Sequence, residues 1–307
     1  MQIAIIGLGR MGGNIARRLR RAGIEVTGFN RNPEVTRKLA EETGLHAAAT
    51  LAEAVETLKA PRLVWLMLPA GEVTESHIEK TAALLQPGDI LIDGGNAFYK
   101  DSLRRAAALA RQDLRFVDVG VSGGIWGLDE GYCLMAGCDD AGAIEHLRPV
   151  FEALAPAPDR GWAHVGPAGA GHYTKMIHNG IEYGMMQAIA EGFSLLEGKT
   201  EFNLDTAQLA ELWRHGTVIR SWLLDLTAGV LQRDRELADI APVVADSGEG
   251  RWTVMESIEQ GVAAPVLSLA LQMRFASQDR EQYGNRLLAM LRNAFGGHAV
   301  QKEEDDA

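Results

Sequence analysis

Five chemically capable side chains fall on one edge of a single predicted helix: Lys175, His178, Asn179, Glu182 and Tyr183, at i, i+3, i+4, i+7 and i+8. In a helix packed into a globular protein that stripe is normally apolar. Here Met176, Ile177, Ile181, Met185 and Ile189 face elsewhere. The helix is therefore expected to be buried on several sides while turning an amine, an imidazole, a carboxamide, a carboxylate and a phenol toward one place. Such groups must be satisfied when buried, and a polar ligand is the simplest partner. The entry Gly169-Ala170-Gly171 is small enough to let other backbone come close.

A helix of this kind needs a platform, and the residues ahead of it read as one. The apolar run from residue 2 to residue 6 ends at Gly7-Leu8-Gly9-Arg10-Met11-Gly12, and an amphipathic stretch from about Met11 to Ala22 follows. Strand, glycine turn and helix are the order of a dinucleotide site: Gly7 for the tight turn, Gly9 for close approach of a pyrophosphate, Gly12 for helix–strand packing. A second strand, Ile24 to Phe29, ends at Asn30-Arg31, where it should meet the adenosine ribose. A neutral donor and a cation there, in place of an acid, favour NADP, with NAD also possible.

The alternation continues with helices at Pro33 to Thr43 and from Leu51, and strands at Leu63 to Leu68, Ile90 to Asp93 and Arg115 to Val121. These strands run into Pro69-Ala70-Gly71, Gly94-Gly95-Asn96 and Ser122-Gly123-Gly124. Such a pattern specifies a mostly parallel, doubly wound sheet that binds ligands at its carboxyl edge. Leu68, Pro69 and Asn96 join the cofactor set there. Asn96 and Ser122 are side-chain donors at that edge, and a turn-forming role stands beside ligand contact for each. After a helix from Ala141 to Ala155 and Gly171, strand signals vanish: helices are predicted at Leu204 to His215, Val218 to Leu231, Met255 to Gln260, and one long run from Pro265 to about Asn293.

A chain of 307 residues suggests about two domains. The division expected is an NADP-binding, Rossmann-like α/β domain over 1–165 and an all-α substrate and dimerisation domain over 166–307. Thirty basic against 41 acidic residues give a net charge of −11, which argues against nucleic acid or an anionic membrane as partner. No leader or membrane-spanning run is evident, so a cytoplasmic protein is expected. Cys133 and Cys138 lack further ligands at metal spacing and read as reduced, packed thiols, and no metal is implied. Lys302-Glu303-Glu304-Asp305-Asp306-Ala307 reads as a solvated tail.

Taken together, these stretches resemble the 6-phosphogluconate dehydrogenases. Gly7 to Gly12 is similar to the family's cofactor turn and Asn30-Arg31 to its NADP-binding pair. Ile92-Asp93-Gly94-Gly95-Asn96, Gly120-Val121-Ser122-Gly123-Gly124 and the run from Gly169 to Gly184 match in turn. Arg274 follows Gly250-Arg251-Trp252-Thr253 at the family's distance, and Arg292 and His298 keep the terminal spacing. The familiar form is longer, with a duplicated helical domain, so this chain resembles a short class with one copy. Where that form has a lysine and a threonine near the substrate phosphate, this chain reads Asp246-Ser247-Gly248-Glu249-Gly250.

The resemblance implies oxidation of 6-phosphogluconate at C3, loss of C1 as carbon dioxide and release of ribulose 5-phosphate. Lys175 would be the base for the C3 hydroxyl, which requires burial to bring an amine of pKa ~10.4 toward ~7 to 8. Glu182, roughly 10 Å further along the helix, would protonate C1 of the enediol. Asn96, Ser122, Gly123, Gly124, His178 and Asn179 would orient the sugar acid, Tyr183, Arg274 and Arg292 would hold the phosphate, and His298 would close the site. The resemblance also implies a homodimer or higher homo-oligomer whose C-terminal residues complete a neighbour's site. A β-hydroxyacid dehydrogenase of the 3-hydroxyisobutyrate kind and a non-catalytic NADP-binding sensor remain alternatives.

Overall fold

The computed structural model describes residues 1–301; the acidic ending from residue 302 lies outside the described residues. The chain divides into two compact units, Met1–Gly180 and Ile181–Ala307. The boundary expected after residue 165 falls ahead of the long helix. By packing, the first turns of that helix rest on the sheet of the first unit, so the two compact units part within it.

The first unit keeps the expected β/α alternation and adds β3, α4 and α5 to it: β1 (Gln2–Ile6), α1 (Arg10–Arg21), β2 (Glu25–Phe29), α2 (Pro33–Thr43), β3 (His46–Ala47), α3 (Leu51–Glu56), β4 (Leu63–Leu66), α4 (Glu72–Ala82), β5 (Ile90–Asp93), α5 (Tyr99–Ala110) and β6 (Arg115–Ser122). A short helix α6 (Gly127–Glu130), β7 (Cys133–Gly137), α7 (Ala141–Leu154) and β8 (Trp162–Gly166) follow, and then the long α8 (Ala170–Gly198) begins. One sheet of eight strands results, in the order β3-β2-β1-β4-β5-β6-β7-β8, with only the β6–β7 pair antiparallel. Local chemistry sets the ends of these helices. Asn32 accepts the Glu34 N–H ahead of Pro33, and Thr50 accepts the Glu53 N–H while Glu53 reaches back to Ala49.

Alternation along each strand feeds two cores, one on each face. Ile3, Ile5, Trp65, Ile92 and Val117 pack with Ile15 and Leu19 of α1 and Phe151 of α7, whereas Ala4, Ile6, Val64 and Leu66 pack with helices α3 to α5. The strand reversal at β1/β4, the crevice where open sheets bind dinucleotides, lies at the carboxyl ends that carry Gly7 and Leu68.

The second unit is helical: the rest of α8, α9 (Thr206–Trp213), α10 (Trp222–Arg233), α11 (Glu249–Gln260), α12 (Pro265–Gln278) and α13 (Tyr283–Gly296). The expected single helix from Pro265 to Asn293 is two helices. The run Asp279-Arg280-Glu281-Gln282 has no apolar residue to carry the period, Asp279 turns extended and accepts the Gln282 N–H, and Gln282 takes φ 47°. The core is small, built on Tyr183, Ala270 and Leu271 with Met186, Val254 and Phe275 around them. Much apolar surface stays outside it. Ile181 and Met185, expected to be buried, are 51% and 41% exposed, and α13 buries none of its residues. A cavity of about 980 Å³ lies among α8, α9 and α10, lined by residues such as Ile189, Phe193, Leu223 and Val230.

Candidate active site

At the carboxyl end of β1, Gly7 has φ 93°, and a Cβ there would lie 2.5 Å from the Met67 carbonyl oxygen. A Cβ on Gly12 would lie 2.0 Å from the Gly7 oxygen, so turn and helix meet backbone to backbone. At Gly9 a Cβ would meet nothing within 4 Å. The protein's own packing does not require a glycine at this position; close approach of a ligand would. The first turn of α1 has neither a side-chain cap nor an acidic residue, which leaves its amides and the positive helix end for phosphate. These features fit a dinucleotide. Asn30 Oδ1 accepts the Leu8 N–H at 3.1 Å, so Asn30 ties the glycine turn to the end of β2. Arg31 is exposed and makes no hydrogen bond or ion pair among the described residues. Arg10 is exposed and Met11 packs against the core. Leu68 and Pro69 follow β4, where the Pro69 carbonyl accepts from Thr74.

The turn after β5 is held from behind by residues that no local pattern revealed. Asp93 Oδ1 accepts the Gly95 N–H at 3.2 Å, and its Oδ2 pairs at 2.6 Å with Arg105 of α5, itself fully buried and paired with Glu75 of α4. A Cβ on Gly95 would lie 2.5 Å from the Leu68 oxygen. The exposed Asn96 thus projects from a rigid turn. Ser122 ends β6, opposite Cys133 of β7, and Gly123 and Gly124 follow with φ 135° and 54°. Both cysteines are free. Cys138 is buried, and burial pushes its pKa up to about 11. The expectation of packed thiols fails for Cys133, which is exposed because it lies at the strand end beside Ser122. Partial desolvation by its neighbours still raises its pKa, with Lys175 opposing.

Lys175 stands over β6, where a Cβ on Gly120 would lie 2.4 Å from the Lys175 Cβ. Its Nζ donates to Asn179 Oδ1 at 2.5 Å, and His178 Nδ1 lies 3.0 Å from the same oxygen. The expected polar edge therefore forms a bonded trio in the first unit. Lys175 and Asn179 are half-buried and His178 is exposed.

In the second unit Glu182 is half-buried on α8 and Tyr183 is buried. The Tyr183 hydroxyl bonds Ser247 Oγ at 3.0 Å and accepts the Ser247 N–H at 3.3 Å. The guanidinium of Arg274 lies 3.4 Å over the Tyr183 ring and donates to the Ala245 carbonyl at 2.7 Å. Gly250 lets the ring in, since a Cβ there would lie 2.4 Å from it. Glu249 is buried in the same place. Tyr183, Ser247 and Arg274 thus assemble into one cluster, and Ser247 takes a place in it that the sequence singled out only as a departure. Arg292 and His298 do not join them. Both are exposed at the end of α13, where His298 packs edge-on to Phe295 and its carbonyl accepts from Asn293.

A dinucleotide crevice at the β1/β4 reversal, with a helical lysine and side-chain donors at the ends of β5 and β6, defines a nicotinamide-dependent dehydrogenase with a helical second domain. Comparison with known proteins refines the class. The model for the NAD binding domain of 6-phosphogluconate dehydrogenase matches residues 2–166, and that for the 6-phosphogluconate dehydrogenase C-terminal domain matches 171–306. The chain belongs to the 6-phosphogluconate dehydrogenase family. It is 39% identical over 307 residues to the NAD(+)-dependent, decarboxylating 6-phosphogluconate dehydrogenase of Haloferax volcanii, covering 99% of this chain and all of that one. The 6-phosphogluconate dehydrogenase of Plasmodium falciparum, solved apo and with NADP+ or 6-phosphogluconate, superposes with a TM-score of 0.83 at 28% identity. That alignment covers 99% of this chain and 67% of the longer one. The 3-hydroxyisobutyrate dehydrogenase of Mycobacterium tuberculosis superposes at 0.71 with 26% identity, over 90% and 92% of the two chains. None of the helices described is long and apolar enough to cross a membrane.

Proposed function

We propose that this chain oxidises 6-phosphogluconate at C3, releases C1 as carbon dioxide and delivers ribulose 5-phosphate within the cytoplasmic pentose phosphate route. The observation that carries the reading is the content of α8: Lys175 bonded to Asn179, His178 beside them, and Glu182 two turns after the lysine. The bound dinucleotide supplies the hydride acceptor. Lys175, neutral, takes the C3 hydroxyl proton and then, as an ammonium, donates to the new ketone oxygen. Asn179 holds the amine in place, and Asn96, Ser122 and the amides of Gly123 and Gly124 orient the sugar acid. Glu182 protonates C1 after carbon dioxide leaves. Tyr183 and Arg274 take the phosphate, with Arg292 and His298 contributed by a neighbouring subunit.

The test is a panel of 6-phosphogluconate, gluconate and 3-hydroxyisobutyrate, each with NAD and NADP, following nicotinamide absorbance and carbon dioxide. Equimolar carbon dioxide and reduced nicotinamide from 6-phosphogluconate alone is the expected result. The likeness to 3-hydroxyisobutyrate dehydrogenase favours a second reading, a β-hydroxyacid dehydrogenase. It predicts nicotinamide reduction without carbon dioxide, and Glu182 argues against it. A non-catalytic sensor predicts binding without turnover.

NADP is the preferred dinucleotide in this reading, on the strength of the exposed and unengaged Arg31. Replacing Arg31 with Asp removes a charge-assisted bond to a 2′-phosphate and adds a repulsion, so NADP affinity should fall roughly 100-fold and NAD affinity hardly change. Fluorescence titration of both cofactors reads this directly, and equal losses would count against Arg31.

A further inference from the structure

Asp118, His172 and Ser102 form a buried polar cluster that the mechanism above does not use. Asp118 of β6 and Ser102 of α5 are fully buried, and His172 of α8 is 2% exposed. Asp118 Oδ1 accepts the Gly169 N–H at 2.6 Å, and Oδ2 accepts the His172 N–H at 2.8 Å. These amides lie at the start of α8, where a helix leaves its donors without intrahelical partners. A carboxylate from the sheet thus caps the helix that carries Lys175, at its positive end. His172 Nδ1 lies 2.7 Å from Ser102 Oγ and 3.9 Å from Asp118 Oδ2, which pins the same turn from α5.

Glycines make the joint tight. A Cβ on Gly171 would lie 2.4 Å from the carbonyl oxygens of Asp118 and Met135, and one on Gly137 would lie 2.6 Å from Asp118 Oδ1. With the Gly120–Lys175 approach, α8 lies directly on the β6–β7 backbone, and no intervening side chain lets it slide. The same strand ends at Ser122, four residues past Asp118. One rigid strand therefore fixes both the helix that holds the amine and the donor that would orient the substrate.

We propose that Asp118 is a positioning residue: by capping α8 from β6 it sets the placement of Lys175 relative to Ser122, and His172 with Ser102 secures that turn. The proposal rests on Lys175 acting as the base. Asparagine at 118 can accept one of the two amides but presents an N–H donor to the other, so the first turn should shift. A misplacement of about 1 Å costs roughly 100-fold in rate.

The experiment compares wild type with Asp118→Asn and Ser102→Ala, measuring kcat, KM, dinucleotide affinity and amide hydrogen exchange. For Asp118→Asn, kcat should fall about 100-fold, dinucleotide affinity should stay within about twofold, and the Gly169 and His172 amides should exchange faster while those of β5 do not. Ser102→Ala keeps both Asp118 bonds and should lower kcat about 10-fold with affinity unchanged; it also serves if Asp118→Asn does not fold. Wild-type kcat in either variant, or a parallel loss of kcat and dinucleotide affinity, overturns the proposal. The exchange measurement needs no substrate. If 6-phosphogluconate proves inert with wild type, the functional reading fails on its own, and unchanged protection of Gly169 and His172 in Asp118→Asn still overturns this one.

Discussion

Lys175→Met is expected to abolish hydride transfer, by roughly 10⁴-fold or more, and to leave dinucleotide binding intact. The amine is the basic group bonded into the polar trio on α8, and methionine keeps the aliphatic stem while removing both the base and the later ammonium. The glycine turn proposed to bind phosphate is built on β1 and α1, far from Lys175 in the chain. Nicotinamide absorbance in single-turnover mixing reads the hydride step itself, and near-normal turnover would remove Lys175 from its role. Glu182→Gln should behave differently. It should still reduce the dinucleotide in the first turnover, yet convert a supplied 3-keto intermediate or its analogue roughly 100-fold more slowly, because only C1 protonation lacks its donor. A variant that loses both steps equally would show that Glu182 holds structure and not a proton.

The parts of this site written in local order were legible from residue types alone. Strand-glycine-helix punctuation gave Gly7 to Gly12, and the glycines after Asp93 and Ser122 marked the carboxyl edge, because turn chemistry acts within a few residues. The edge of α8 was legible for the same reason, since its period is intrinsic to the helix. What escaped depends on pairs far apart in the chain. Asp118 meets Gly169 and His172 across more than fifty residues, and Arg105 reaches Glu75 from thirty away. No local period encodes either. β7 and β8 escaped because Cys133–Gly137 and Trp162–Gly166 interleave small or polar residues and lack the run of large apolar side chains that marked β1, β4 and β5. The break at Asp279 escaped because the apolar period resumes in phase at Leu287 and Leu288, and only the polar run between marks it. The exposed Ile181 and Met185 escaped for a different reason: apolar spacing tells that a face is to be covered, but not by which chain.

A mixture of two inactive variants should regain activity. The proposal that Arg292 and His298 enter a neighbour's site is supported by α13, which buries none of its residues and leaves Leu287, Leu288, Leu291 and Phe295 exposed. The second unit leaves Ile181, Met185 and Ile258 exposed as well. An isologous dimer would cover those faces and form two equivalent sites, each taking Lys175 from one chain and His298 from the other. Co-refolding Lys175→Met with His298→Ala then tests the arrangement. In a mixed dimer one site receives both defects and the other receives none. Random pairing makes half of the dimers mixed, so activity should return to about a quarter of normal. If each site were built within one chain, every site would lack its base or its histidine and the mixture would stay dead. Mixed dimers demonstrated by tag pull-down, yet inactive, would therefore place His298 on its own chain, while rescue near a quarter would place it across the interface.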